Sequence, residues 1–268
     1  MGKVIGIFSL KGGVGKTTIA SSLACDLAYR HGMKVLLIDA NYTAPNVLHH
    51  MNVTDMDVSV HDALRGEKLS SAIYSRYGVD VVPGNFLYRR EVNPLKLKDK
   101  LAYFRKNYDF IILDSAPALN NDFFSAFFAS DEMFLVTTPD YPTLSCSMKL
   151  AKFAEQRNKS IRGIIVNRIT EPSFEVNLHE IQESTGVPVV SQLKEDKSVK
   201  EALFVRAPVT LLSPNSKFSK EIGKLSDSLA GVPEKTSLWK RFLYKDKASE
   251  EVNREVLKEH FYTSIFKD

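Results

Sequence analysis

A glycine- and lysine-rich stretch at residues 11–18 carries the clearest chemistry in this sequence. It reads Lys-Gly-Gly-Val-Gly-Lys-Thr-Thr, follows an apolar strand-like run at 4–8 and opens an apolar helix-like run at 19–27. Glycines let successive backbone N–H groups surround an anion, and a new helix N-terminus adds partial positive charge. The stretch therefore predicts a phosphate-binding loop for a nucleoside triphosphate, with the binding residues Gly12, Gly13, Val14, Gly15, Lys16, Thr17 and Thr18.

Two lysines and a threonine have separate predicted roles in this loop. Lys16 can reach the outer phosphates, and the Thr17 hydroxyl can ligate Mg²⁺. The ordinary pattern has a glycine where this chain has Leu10, and a second lysine, Lys11, comes directly after it. The motif is therefore the deviant form of the phosphate-binding loop.

Polar residues end three further strand-like runs. Asp39 and Asp114 each follow a run of apolar residues, and Asn167 with Arg168 follows another. Because ligands bind beyond the carboxyl ends of parallel strands, Asp114 is expected to hold Mg²⁺ through water and Asp39 to lie near it. An amide suits an adenine edge and an arginine plane can stack on a base, so Asn167 and Arg168 are candidate base contacts. The alternative for each is a strand that simply ends in a solvated turn.

Composition and cysteine usage give no indication of nucleic-acid binding, a metal or iron–sulfur site, secretion or a membrane span. The chain has 268 residues, 44% of them hydrophobic, and a formal charge of only +4, too small by itself to indicate nucleic acid. Cys25 and Cys146 are isolated and match no metal or iron–sulfur motif. We find no signal peptide and no run of about 20 apolar residues, so we expect a cytoplasmic protein.

Short apolar runs alternate with longer amphipathic ones along the chain. This alternation predicts an α/β fold, a doubly wound, mostly parallel sheet of the P-loop NTPase type with a C-terminal helical tail. A composition change near Gly231 divides the chain into an ATPase domain at 1–231 and a tail at 232–268. The predicted strands are 3–9, 33–39, 79–82, 109–114, 133–138, 161–167 and 187–190, and the predicted helices are 16–31, 94–106, 120–129, 143–158, 174–185, 196–204 and 216–230.

Taken together, these residues resemble the MinD/ParA family of deviant Walker A ATPases, and its archaeal MinD-like members in particular. The resemblance covers roughly residues 3–230, with the motifs in the family's order. They are residues 11–18, Asp39 with Pro45 and Asn46, 114–117, 166–168, Val187 with Pro188, 196–202, 207–209 and 214–216.

The resemblance implies an ATP-dependent switch that uses ATP and Mg²⁺. Two subunits would enclose two ATP molecules in a homodimer, with Lys11 of each reaching the other's phosphates much as an arginine finger does. Asp39 would begin switch I, and the residues after Asp114 would form switch II. The implied catalytic residues are Lys11, Lys16, Asp39 and Asn41, and the implied metal-site residues are Thr17, Asp39 and Asp114.

Asn41 departs from the family pattern. Switch I usually reads Asp-x-Asp, whereas this chain reads Asp39-Ala40-Asn41. An amide can hydrogen-bond the attacking water but cannot accept its proton. The hypothesis is that hydrolysis is slow, or absent without a partner, unless another group replaces the carboxylate.

The tail contains two amphipathic segments. On a helix, residues 236–247 would place Leu238, Trp239, Phe242 and Leu243 on one face, with Lys240, Arg241, Lys245 and Lys247 around it. This pattern suits an anionic membrane surface and resembles the targeting helix of MinD, which implies a peripheral position on the inner face of the cell membrane. The alternatives are packing on the chain's own domain or binding an unknown partner protein. A further segment, in which Ser249 could cap a helix, has an apolar stripe of Val252, Val256, Leu257, Phe261 and Ile265. It could dock on the chain's own domain, pair with another copy or bind a partner.

Two other functions remain open from the sequence. A ParA-like dimer that binds DNA non-specifically would need a basic surface, for which Lys217, Lys220 and Lys224 are weak candidates. A non-hydrolysing, ATP-bound scaffold is suggested by Asn41.

Overall fold

Eight strands form one sheet in the computed structural model, which describes residues 2–232. The predicted tail segments at 236–247 and 249–265 lie outside those residues. The strands are β1 (Lys3–Phe8), β2 (Val35–Ala40), β3 (Tyr74–Arg76), β4 (Val79–Val82), β5 (Phe110–Ser115), β6 (Glu132–Thr137), β7 (Ser160–Ile169) and β8 (Val189–Lys194).

The strand order in the sheet is β3-β4-β2-β5-β1-β6-β7-β8. Neighbouring strands are parallel, except that β3 and β4 form an antiparallel pair at one edge. β1 lies near the centre, with β5 and β2 on one side and β6, β7 and β8 on the other. Because these strands are parallel, the carboxyl ends of β1, β2 and β5 meet at one edge of the sheet. This arrangement confirms the predicted doubly wound, mostly parallel sheet.

Helices cover both faces of this sheet. They are α1 (Lys16–His31), α2 (Val47–His50), α3 (Val60–Arg65), α4 (Leu97–Ala102), α5 (Asn121–Ala129), α6 (Tyr141–Gln156), α7 (Leu178–Thr185), α8 (Lys197–Val205), α9 (Val209–Leu212) and α10 (Lys217–Leu229). Three short 3-10 turns lie at Leu69–Ala72, Pro94–Lys96 and Pro172–Phe174. None of the helices within residues 2–232 is long and apolar enough to cross a bilayer.

Successive side chains of each buried strand point to opposite faces of the sheet and contribute to two apolar cores. In β5, Ile111 and Leu113 join the core that contains α5 and α6, while Ile112 joins the core that contains α1 and α10. All three side chains are fully buried. Because successive strand residues point to opposite faces, a continuous apolar run is what a strand covered on both sides requires.

The structure differs from the sequence-based prediction mainly in its short elements. The helices α2, α3 and α9 and the strand β3 were not predicted, since elements of three to six residues are too short to show a hydrophobic period. The predicted helix at 94–106 is a 3-10 turn followed by α4, which ends at Ala102. Strand β8 begins at Val189 and continues to Lys194, beyond the predicted end at residue 190.

Candidate nucleotide-binding site

The loop between β1 and α1 presents an uncapped helix N-terminus at the carboxyl edge of the sheet. Gly15 is the N-cap of α1, no side chain caps the helix, and its first turn contains no acidic residue. The first N–H groups of a helix have no partner within it, and the helix dipole adds partial positive charge there. The loop is therefore built to receive an anion, as the sequence predicts.

Gly15 has to be glycine for two reasons. Its φ is +99°, which side chains rarely adopt, and a Cβ there would lie 2.3 Å from Nδ2 of Asn167. The Asn167 amide in turn donates a hydrogen bond to the Val14 carbonyl at 2.7 Å. Asn167 therefore contacts the phosphate-binding loop itself. Its expected contact with adenine stays a prediction.

Lys16, Thr17 and Asp114 meet at the start of α1. The Thr17 hydroxyl donates a hydrogen bond to Oδ2 of Asp114 at 2.6 Å. Burial lowers the pKa of Lys16, although the Asp114 carboxylate opposes that shift. Burial raises the pKa of Asp114 to about 6, against the Thr17 hydrogen bond and the charge of Lys16.

The other carboxylate oxygen of Asp114 fits a hydrated magnesium ion. Oδ1 of Asp114 is buried and has no hydrogen-bond partner among the described residues. Buried polar atoms are almost always satisfied, so an orphan oxygen at this place fits a water or ion that accompanies the phosphates. The Thr17 hydroxyl, with its proton donated to Asp114, keeps lone pairs for the metal. Thr17 and Asp114 would hold the metal, which supplies positive charge against the phosphate oxygens.

Asp39 lies beside Asp114, but both of its carboxylate oxygens already accept hydrogen bonds from backbone N–H groups. The two residues pair in register between β2 and β5, and burial together with the Asp114 charge raises the pKa of Asp39. Its Oδ1 accepts from the Asn41 N–H at 3.1 Å, and its Oδ2 accepts from the N–H groups of Asn46 and Val47 at 2.8 and 2.9 Å. In this structure Asp39 anchors the loop after β2, so its metal and catalytic roles stay predictions.

Asn41 also holds that loop. Its side-chain amide donates to the Ala44 carbonyl at 2.6 Å, and the Asn46 amide donates to the same oxygen at 2.8 Å. An ionised aspartate at position 41 could not make this bond, because it has no proton to donate. The departure from the Asp-x-Asp pattern therefore has a structural use, which is to close the loop on itself.

Residues that the sequence patterns do not single out fix this loop from outside. Asp122 on α5 accepts from both the N–H and the hydroxyl of Thr43, each at 2.8 Å. The buried Tyr42 hydroxyl bonds the Ser125 hydroxyl at 2.9 Å, and the Tyr42 carbonyl bonds Nε2 of His61 at 2.9 Å. The only sequence signal was the position of Asp122 in the first turn of a predicted helix, where an acidic residue is common for other reasons.

Lys11 and Arg168 lie at the open side of the site. Both side chains are exposed, and Arg168 has a φ of +60° at the end of the buried part of β7. The Lys11 N–H donates to the Ser9 hydroxyl at 3.1 Å. Burial acts to raise the pKa of Asp140, the N-cap of α6, but hydrogen bonds from Thr138 and Thr143 and the charge of Lys11 lower it overall.

Comparison with known proteins identifies the family. A family model described as an AAA domain matches residues 2–166. The cell division ATPase MinD of Pyrococcus furiosus superposes with a TM-score of 0.81 at 31% identity, over 85% of this chain and 98% of that one. The chain belongs to the MinD/ParA family of P-loop ATPases.

Two more similar proteins bear on the ligands of the site. The Pyrococcus horikoshii septum site-determining protein MinD, solved in complex with Mg-ADP, has a TM-score of 0.81 at 30% identity over 85% of this chain and 95% of that one. An uncharacterized ATP-binding protein of Methanocaldococcus jannaschii is 31% identical over 86% of this chain and 89% of its own length. These relatives confirm the archaeal MinD-like resemblance, and ATP and Mg²⁺ are the cofactors of this P-loop ATPase.

Proposed function

We propose that this chain is an ATP-dependent dimerising switch of the MinD type that hydrolyses ATP slowly. The observation that carries the proposal is the contrast between its two loop lysines. Lys16 is buried against Asp114, whereas Lys11 is exposed at the open side of the loop. An exposed lysine at the open side of the loop is accessible to the phosphates of a second subunit.

Slow hydrolysis follows from the state of the loop after β2. The Asp39 carboxylate is satisfied by three backbone N–H groups, and the Asn41 amide is bonded to Ala44. A general base must be able to accept a proton from the attacking water, and an amide cannot do so. The ATP-bound dimer would therefore be long-lived, and a partner protein would be needed to shorten its life.

Oligomeric state with each nucleotide tests the proposal. Light scattering should show a monomer with ADP and a dimer with ATP plus Mg²⁺, with little phosphate release in the same samples. Lys11→Ala should lower the rate of phosphate release about 10³-fold, which is the low end of the effect of a cation supplied in trans. Lys34→Ala, an exposed lysine between α1 and β2, is the matched control. A dimer that forms without nucleotide, or unchanged turnover in Lys11→Ala, would contradict the switch.

The proposed place of action is the inner face of an anionic membrane. The relatives from Pyrococcus are described as cell division and septum site-determining proteins, and the same spatial role is proposed for this chain. The contact would be made by residues 236–247, whose cations and bulky apolar residues suit a lipid headgroup boundary. Dimerisation would strengthen membrane binding because the dimer presents two copies of residues 236–247 at once. Co-sedimentation with anionic liposomes that requires ATP supports this place of action, and equal sedimentation with ADP contradicts it.

A ParA-like function is the second candidate, because one specific surface favours it. Lys217, Lys220 and Lys224 are all exposed along α10 at spacings of three and four residues, which place them on one helical face. DNA retention that falls steeply with added salt, without liposome binding, would favour this candidate over the membrane switch.

A further inference from the structure

A groove between α1, α9 and α10 lies on the side of the sheet where α1 and α10 pack. It has a volume of about 290 Å³, and its walls include the exposed ring of Tyr29 with Leu211 and Pro214. The rim on the α10 side is formed by Lys220 and Lys224. The groove thus combines apolar wall residues with a basic edge, as a binding site for an amphipathic acidic helix would.

Both acidic residues that line the groove are paired with the same arginine. Arg30 pairs with Asp26 at 3.0 Å and with Asp227 at 2.8 Å. Among residues 2–232, Lys217 and Lys220 have no ion-pair partner, and Lys224 pairs with Glu221 at 3.0 Å. The lysine row at positions 217, 220 and 224 therefore keeps positive charge for a ligand outside the described chain.

The described chain ends beside this groove. The Val232 N–H donates to the carbonyl of Asp227 at 2.9 Å, and Asp227 lines the groove. Residues 233–248 would connect this point to the distal segment at 249–265. A connection of that length reaches any part of the domain and holds the segment at a millimolar effective concentration, so a weak contact is enough to keep it bound.

The distal segment matches the lysine row in charge and spacing. Glu251, Glu255 and Glu259 recur every four residues, and on a helix they would form one row about 12 Å long, with Arg254 and Lys258 beside it on the side away from the valines. The lysine row spans eight residues of α10, and the rise from Lys217 to Lys224 is about 10 Å. Val252 and Val256 would lie beside the glutamates, where they could contact Tyr29 and Leu211.

We propose that residues 249–265 dock along this groove, with their glutamate row against Lys217, Lys220 and Lys224. The neighbouring segment at 236–247 is the poorer occupant, since it carries Lys240, Arg241, Lys245 and Lys247 and the lysine row repels it. The docked segment covers the surface that a ParA-like function would use for DNA. This inference does not depend on the proposed switch, because it concerns a face away from the nucleotide site.

Carbodiimide cross-linking of the full chain, read by mass spectrometry, tests the docking. The reagent joins a carboxylate to an amine only where the two are in contact, so bonds from Lys217, Lys220 or Lys224 to Glu251, Glu255 or Glu259 are expected within one chain. Their yield should not change with protein concentration. Glu255→Lys should lower the yield about fivefold, the effect of losing one exposed ion pair.

A charge swap separates docking from a loss of folding. Adding Lys220→Glu to Glu255→Lys should restore the yield of the remaining cross-links, whereas adding Lys200→Glu, an exposed position on α8 outside the groove, should not. Cross-links that form only between chains would assign the groove to a second copy and overturn the proposal. Equal yield in Glu255→Lys, or tight salt-sensitive DNA binding by the unmodified full chain, would overturn it as well.

Discussion

Single side chains in the nucleotide site make different bonds from those that their types suggest. Asp39 and Asn41 have the chemistry to handle a metal and a water, yet both are bonded to the backbone of the loop that follows β2. Asp114 is the residue with an unused oxygen. The site is therefore organised to hold a nucleotide with its metal, and the loop that would promote hydrolysis is kept closed.

Replacing Asn41 by aspartate should increase ATP turnover. Asn41→Asp supplies a proton acceptor and removes the bond to Ala44 that closes the loop, so we expect a rise of about 10²-fold or more, the contribution of a positioned general base. Phosphate release under saturating ATP and Mg²⁺ measures it. Asn46→Asp is the matched control, since it removes a similar bond to the same Ala44 oxygen without placing a carboxylate at position 41. Equal rates in both variants would show that loop closure, and not the missing base, limits turnover.

Removing the charge of Asp114 should weaken the dependence of ATP binding on Mg²⁺. In Asp114→Asn the Thr17 hydroxyl keeps an acceptor, but the unpartnered anionic oxygen is gone. Outer-shell partners of a metal are worth about 10- to 100-fold in affinity, so the gain in ATP affinity on adding Mg²⁺ should shrink by that factor. Titrations of ATP with and without Mg²⁺ measure the difference, with Asp80→Asn on β4 as control. If the Mg²⁺ effect survives in Asp114→Asn, the metal is held elsewhere.

At the scale of elements, His61 on α3 links the loop after β2 to the loop after β4. The Asn85 N–H must donate to Nδ1 at 3.2 Å, so Nε2 carries the proton and donates to the Tyr42 carbonyl at 2.9 Å. The His61 ring also stacks on Tyr88, with ring centroids 4.7 Å apart. His61 therefore has to be neutral for both loops to keep their bonds.

This requirement predicts a pH dependence of stability. Burial lowers the pKa of His61 in the folded chain, against the Tyr42 carbonyl and the charges of Asp62 and Asp122. As the pH falls below about 6.5, the unfolded chain binds a proton that the folded chain does not, and the free energy of unfolding drops by up to about 1.4 kcal/mol per pH unit. His61→Gln keeps a donor for the Tyr42 carbonyl without titrating. Its free energy of unfolding should fall less steeply between about pH 7 and about pH 5, while exposed His179→Gln should keep the original slope.

The sequence predicted local features well and tertiary pairings poorly. The loop at 11–18 and the buried strands follow from neighbours in the chain, through glycine spacing and continuous apolar runs. The bonds from Thr43 to Asp122 and from Asn167 to Val14 join residues 79 and 153 positions apart. Nothing in a single sequence indicates such a pair, because any polar residue near a strand end could serve. The Asn41 bond was not predicted either, although its partner Ala44 is only three residues away.

At the scale of the whole molecule, α1 connects the nucleotide site to the end of the described chain. The helix begins at the phosphate-binding loop and ends at Arg30 and His31, which contact Asp227 on α10. Its 16 residues span about 24 Å. Asp227 in turn accepts the N–H of Val232, where the tail begins. A displacement at the start of α1 can therefore reach the base of the tail through one helix and one ion pair.

Loosening that ion pair should free the end of α10 without affecting nucleotide binding. Arg30→Gln removes the pairing with both Asp26 and Asp227, and because the Arg30 side chain is 42% exposed the loss should be only about 1 kcal/mol. Amide hydrogen exchange in the last turn of α10 should then accelerate about fivefold, while ATP affinity stays unchanged. Lys34→Gln, an exposed cation just beyond the end of α1, is the control. If exchange is unaltered in Arg30→Gln, apolar packing between α1 and α10 alone stabilises the end of α10, and the ion pair does not couple α1 to it.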